Sequence, residues 1–129
     1  MTHVAQPSAD EINGNLIALN ALAGIPLTAI KGFRAPYLNF TANTLKILKD
    51  SQFLYDSSAS AALPVTDPNS DAYWPYTLDY GLANSCLNEE TQGTVCNGEP
   101  KLPGLWEIPM YGIFDERGVN GVHLMDPWL

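Results

Sequence analysis

A helix–strand–helix–strand order compressed into residues 8 to 56 constrains this chain more than any other feature. Ser8-Ala9-Asp10-Glu11 forms a capping box, in which a Ser hydroxyl and a Glu carboxylate satisfy two amides that the first helical turn leaves without partners. Ile12, Leu16, Leu19 and Ala23 recur on one helical face, Leu22 lies beside them, and Gly24 with Pro26 beyond it stops the helix. Leu27 to Arg34 predicts an approach and a short strand ended by Ala35-Pro36. A second helix is predicted over Thr41 to Ser51, with Leu45 and Leu48 inward and Lys46 and Lys49 outward. Phe53-Leu54-Tyr55-Asp56 then reads as a second buried strand. Alternation of this kind predicts an α/β architecture with parallel strands.

From Ser57 to Pro103 the rhythm breaks. This stretch holds Pro64, Pro68, Pro75, Pro100 and Pro103, both cysteines and the cluster Tyr73-Trp74-Pro75-Tyr76. It predicts a long excursion between regular elements, and loops of that length usually carry function. Cys86 and Cys96 flank a polar, turn-rich loop, with Asn97-Gly98 as a turn signal behind it. No His or further Cys nearby makes a zinc site of the pair. The pair is either a disulfide, worth about 2.7 kcal/mol in the chain-entropy picture, or two free thiols. Leu105 to Met110 predicts a third strand, and the tail from Tyr111 ends abruptly on Asp126-Pro127-Trp128-Leu129.

The chain has 129 residues, enough for one domain, and 46% of them are hydrophobic against 16% charged. A net charge of -8, with six scattered Lys and Arg, argues against nucleic-acid partners, which need a basic surface. It suits a neutral or cationic polymer, and it equally suits plain solubility. The most apolar window, Leu16 to Ile30, is broken by Asn20, Gly24 and Pro26 and predicts no membrane span. Met1-Thr2-His3-Val4-Ala5-Gln6 has neither the basic start nor the apolar block of a secretory leader. The cysteine pair and the sequon Asn39-Phe40-Thr41 nevertheless lean towards a secreted chain.

Arg34 follows apolar residues at a predicted strand end, where α/β barrels place their active sites. There an Arg either grips a carboxylate in bidentate geometry or packs its stem on the sheet. His3 and His123 are each a lone histidine, either exposed or one ligand of a metal. Trp74, Tyr76, Trp106 and Trp128 are core or loop aromatics, or rings on which a sugar stacks. Asp56-Ser57-Ser58 reads as a turn, and Glu107, opposite in alternation to Trp106 and Ile108, is either solvated or turned to a site.

In order along the chain stand Gly32-Phe33-Arg34-Ala35-Pro36-Tyr37-Leu38, Phe53-Leu54-Tyr55-Asp56-Ser57-Ser58, Trp74-Pro75-Tyr76-Thr77, the cysteines, and Leu105-Trp106-Glu107-Ile108-Pro109-Met110. This ordered set resembles the polysaccharide deacetylases of carbohydrate esterase family 4, in their chitin-deacetylase-like branch. The resemblance implies a distorted (β/α) barrel and metal-dependent hydrolysis of N-acetyl groups on chitin or N-acetylglucosamine oligomers. It implies zinc as cofactor, held by one Asp and two His, with an Asp as base and a late His as acid. By the same resemblance Arg34 matches the Arg that positions the base, and Tyr37, after Pro36, offers its amide to the oxyanion. Trp106 matches the aromatic wall of the site, and His3 the second metal histidine of a His-Ser/Thr-x-x-His motif. No Thr-Phe-Asp-Asp and no Leu-x-His motif stands in the chain. The expectation is one partial barrel domain over residues 1–129, cut at both ends, with a disulfide-pinned loop, secreted, and inactive on its own. The rival expectation is a non-catalytic carbohydrate-binding remnant of the same fold.

Overall fold

The computed structural model describes residues 7–61, 67, 69, 73–83, 95, 97–114 and 122–123, the backbone alone for 113, 114, 122 and 123. Helix α1 spans Ala9–Ala23, and its ends are those the sequence predicts. The Ser8 hydroxyl accepts from the Glu11 amide at 3.2 Å, and Glu11 Oε2 accepts from the Ser8 amide at 2.9 Å. Gly24 closes the helix in the left-handed region at φ 65, a conformation that costs glycine little. Only the first turns bury their apolar side. Ile12 is 1% exposed and Leu16 packs against the core, whereas Leu19 is 41% and Leu22 89% exposed, against the expectation of one inward face. Helix α2, Ala42–Asp50, is capped by Thr41 and buries Leu45 and Leu48 while Lys46 and Lys49 stay in solvent, as predicted.

Four short strands form one sheet in the order β1-β2-β4-β3. They are β1 (Gly32–Phe33), β2 (Tyr55–Asp56), β3 (Tyr76–Thr77) and β4 (Trp106–Glu107). β1, β2 and β4 run parallel, which α2 makes possible by carrying the chain from β1 back to the start of β2. β3 pairs antiparallel with β4, so the sheet is mixed, and a strand emerges from the stretch expected to be a loop. An isolated parallel bridge between Ser60 and Met110 prolongs the pairing of the chain after β2 and after β4. Farther on, β5 (Ile113–Phe114) and β6 (Val122–His123) make an antiparallel pair of their own. The fold is α/β; the described residues form an open mixed sheet.

Strand alternation gives this sheet two unlike faces. Register places Phe33, Asp56, Glu107 and Tyr76 in one row, and Gly32, Tyr55, Trp106 and Thr77 in the row on the other side. The first face is closed. Phe33 and Leu105 on it join Ile12 of α1, Leu45 and Leu48 of α2, and Phe53 in a single core. The Phe33 and Phe53 rings meet edge to face, with centroids 6.1 Å apart. Each fully buried Leu here contributes on the order of 2 kcal/mol. The second face is open, with Arg34, Tyr55, Trp106 and Ile108 all exposed.

Candidate functional site

The C-terminal ends of β1, β2 and β4 converge, and side chains there divide by sheet face. On the open face the Arg34 guanidinium lies across the end of β2. Its Nε donates to the Ser57 carbonyl at 2.9 Å and its Nη2 to Ser57 Oγ at 2.7 Å. Ser57 Oγ passes its own hydrogen to the Ile108 carbonyl beyond β4 at 2.7 Å, and the Ser57 amide donates to Phe33 O at 3.0 Å. The Nε–Nη2 edge of the guanidinium is therefore engaged by Ser57, at a residue for which the sequence left open a gripped carboxylate or a stem packed on the sheet.

One register row back stand Tyr55 and Trp106, direct cross-strand partners, 37% and 46% exposed. Gly32 lies beneath the Tyr55 ring; a Cβ on it would come within 2.0 Å of Tyr55 Cζ. Beyond Arg34, Pro36 opens a tight 3₁₀ turn over Pro36–Leu38. Tyr37 and Leu38 there adopt φ 54 and φ 56, left-handed values that cost a non-glycine residue on the order of 1 kcal/mol each. The turn leaves the Tyr37 side chain 80% exposed at the end of β1. Trp74, just before β3, is 88% exposed, and the Tyr111 hydroxyl donates to the nearby Tyr73 carbonyl. Pro36 and Tyr37 thus follow Arg34 past the end of β1, and Arg34 shares the open side of the sheet with Trp106.

The closed face carries an acid pair that the sequence reading left out of the site. Asp56 and Glu107 are cross-strand neighbours and both are 0% exposed. Ser58 grips Asp56 twice, through its amide to Oδ2 at 2.9 Å and its hydroxyl to Oδ1 at 2.8 Å, and the same hydroxyl accepts from the Ala35 amide at 2.9 Å. Glu107 Oε1 accepts from the Ala59 amide at 3.2 Å, while Oε2 meets no donor. As a carboxylate Oε2 is an orphan among the described residues. Burial, then the Asp56 charge and the hydrogen bond shared with Asp56, push the Glu107 carboxyl up to about 10, with the Ala59 amide and Arg34 pulling the other way. Burial raises Asp56 as well, against the lowering pull of both Ser58 bonds. Burial and the Glu107, Tyr73 and Asp56 charges raise the Tyr76 phenol, whose oxygen accepts the Ala83 amide. The pair therefore holds a proton at neutral pH. The sequence signal for it was Glu107 standing between two apolar residues of a strand, and nothing local said that its side of the sheet is sealed.

His3, Cys86, Cys96 and Trp128 lie outside the described residues, and His123 is placed through its backbone in β6. Among the described residues no three His, Cys, Asp or Glu side chains gather to hold a metal ion. The acid pair supplies two carboxyls, one saturated by Ser58, on the face away from Arg34 and Trp106. The described residues do not fit a zinc centre. A cleft of about 370 Å³ is lined by Leu16, Ile17, Leu27 and Phe53 and opens before the strands begin, at the end opposite Arg34. Functional sites in such folds gather at the C-terminal ends of strands. Among the described residues no helix is long and apolar enough to cross a membrane.

No family model matches the chain. Over 106 residues it is 30% identical to chitin deacetylase 8 of Bombyx mori, a match covering 81% of this chain and 25% of that protein. The chain spans about a quarter of the length of the curated relative it matches, and the likeness supports a chitin deacetylase-like relationship.

Proposed function

We propose that this chain is part of a hydrolase that removes N-acetyl groups from chitin-type polymers of N-acetylglucosamine, and that the chain alone does not catalyse the reaction. One observation carries the reading: Arg34 stands at the C-terminal end of β1 on the open face that Tyr55 and Trp106 share, with Pro36 and Tyr37 in the turn that follows, in a chain similar to a chitin deacetylase. On this reading Arg34 supplies a fixed positive charge at the site. Trp106 and Tyr55 supply apolar ring faces that match the C–H face of a pyranose. The Tyr37 amide is the group assigned to the developing oxyanion. Closure of the sheet into a (β/α) barrel, a zinc ion held in part by His3, a Cys86–Cys96 disulfide and a secreted setting belong to the same proposal.

The purified chain should bind N-acetylglucosamine oligomers without releasing acetate. Trp106→Ala should weaken binding by about tenfold. Zinc-dependent acetate release by the 129-residue chain would overturn the assignment of inactivity, and absence of oligomer binding would remove the sugar site. The open, aromatic face also favours a second reading, a carbohydrate-binding remnant without catalysis. Sequencing the transcript beyond both ends separates them. A frame continuing into Thr-Phe-Asp-Asp upstream and Leu-x-His downstream supports the hydrolase; a transcript starting at Met1 and stopping after Leu129 supports the binding remnant.

A further inference from the structure

The geometry points to Ser57 as the residue that positions Arg34, fixing the plane of its guanidinium so that the charge is presented from the open face in one orientation. As a role in the proposed site this rests on the reading above; as a statement about Arg34 it stands on the hydrogen bonds alone. Ser57 is 5% exposed, so its contacts are shielded from water. Its bonds leave it little freedom to turn: the amide is on Phe33 O at 3.0 Å, and the hydroxyl hydrogen is on Ile108 O at 2.7 Å. With that hydrogen committed, Oγ is an acceptor towards Arg34 Nη2 at 2.7 Å, while the Ser57 carbonyl takes Nε at 2.9 Å. Two contacts along one edge of a planar group define its plane, where a single contact would leave it free to pivot. The Ser57 hydroxyl thus links β1, β2 and β4 through one oxygen. Ser58 next to it faces the other way and serves Asp56 and Ala35, so consecutive serines anchor the two faces separately.

A guanidinium held at both Nε and Nη2 cannot turn freely about its Nε–Cζ bond. Nitrogen-15 NMR of the full chain should therefore show resolved Nη hydrogens for Arg34. Ser57→Ala should speed that rotation by about tenfold or more and average the signals, with the thermal midpoint recorded in parallel. Ser57→Thr, which keeps Oγ, should restore them, and the wild-type spectrum bears on the question even if the alanine variant folds poorly. Oligomer affinity gives the functional arm. Ser57→Ala should weaken binding nearly as much as Arg34→Ala, and the double variant should be no weaker than Arg34→Ala alone. Averaged Nη signals in the wild type, or resolved signals that survive Ser57→Ala, overturn the positioning role. If the wild type binds no oligomer, the sugar reading fails while the NMR result still decides the role of Ser57.

Discussion

Gly32 has no room for a side chain because the Tyr55 ring occupies the space, with Cζ 2.0 Å from where a Cβ would stand. The ring is half-exposed and can swing, so Gly32→Ala should change stability by no more than about 1 kcal/mol. It should nonetheless displace the ring from β1, which the Tyr55 ring resonances would reveal; unchanged resonances would disprove the stacking. Gly81 offers a contrast. At φ +84 its Cβ would meet the Gly98 backbone at 2.2 Å, and backbone has no such escape. Single residues of this kind were the least legible in the sequence. Arg34 was visible from its place after an apolar run, but its tie to Ser57 depends on β1 and β2 lying in register, 23 residues apart in the chain. Glu107 was visible as an anomaly, and its cross-strand partner Tyr76 lies in β3, which arises within a proline-rich stretch that carries no strand pattern.

At the scale of elements, the helix ends were the most legible because capping is local chemistry. Thr41 Oγ1 accepts from the Thr44 amide at 3.2 Å, and Thr44 Oγ1 accepts from the Thr41 amide at 3.1 Å. Thr41→Ala should therefore cost about 1 kcal/mol, measured as a lower urea midpoint at unchanged slope. A change within error would mean that packing of Leu45 and Leu48 holds the helix start without its cap. The inward face of α2 followed its periodicity, whereas that of α1 did so only as far as Leu16. Periodicity says which residues share a face, but not whether another element lies against it along the whole length. The strands are shorter than their apolar runs suggested, because pairing of β1 and β2 stops where Arg34 and Ser57 turn to side-chain bonds.

For the whole molecule, the α/β class was legible from the alternation in the first half, and the mixed sheet was not, since β3 closes it from outside that alternation. The acid pair then ties the stability of the whole to pH. Glu107 stands between Asp56 on β2 and Tyr76 on β3, and it feels the Arg34 charge from the other side of the sheet. Glu107 keeps its proton in the fold up to about 10 but releases it near 4.5 once unfolded. The folded state thus binds more protons between those values, and stability falls as pH rises through that window, by on the order of 1 kcal/mol per pH unit. Melting should occur at clearly higher temperature at pH 5 than at pH 8. Glu107→Gln keeps an acceptor for the Ala59 amide and gains a fixed donor towards Asp56. It should flatten the profile and raise the midpoint at pH 8 by several degrees. An equally steep profile in that variant would place the proton elsewhere. The two faces of the sheet also answer to different rules of inheritance. A substitution among Phe33, Asp56, Leu105 or Glu107 must satisfy volume and protonation at once, so change there is filtered by whether the chain folds. Gly32, Arg34, Tyr55, Trp106 and Ile108 stand on the open side, where drift can alter what the surface greets without reopening the question of the fold. A lineage carrying this sheet can diversify its ligands on one side while the other stays as it was.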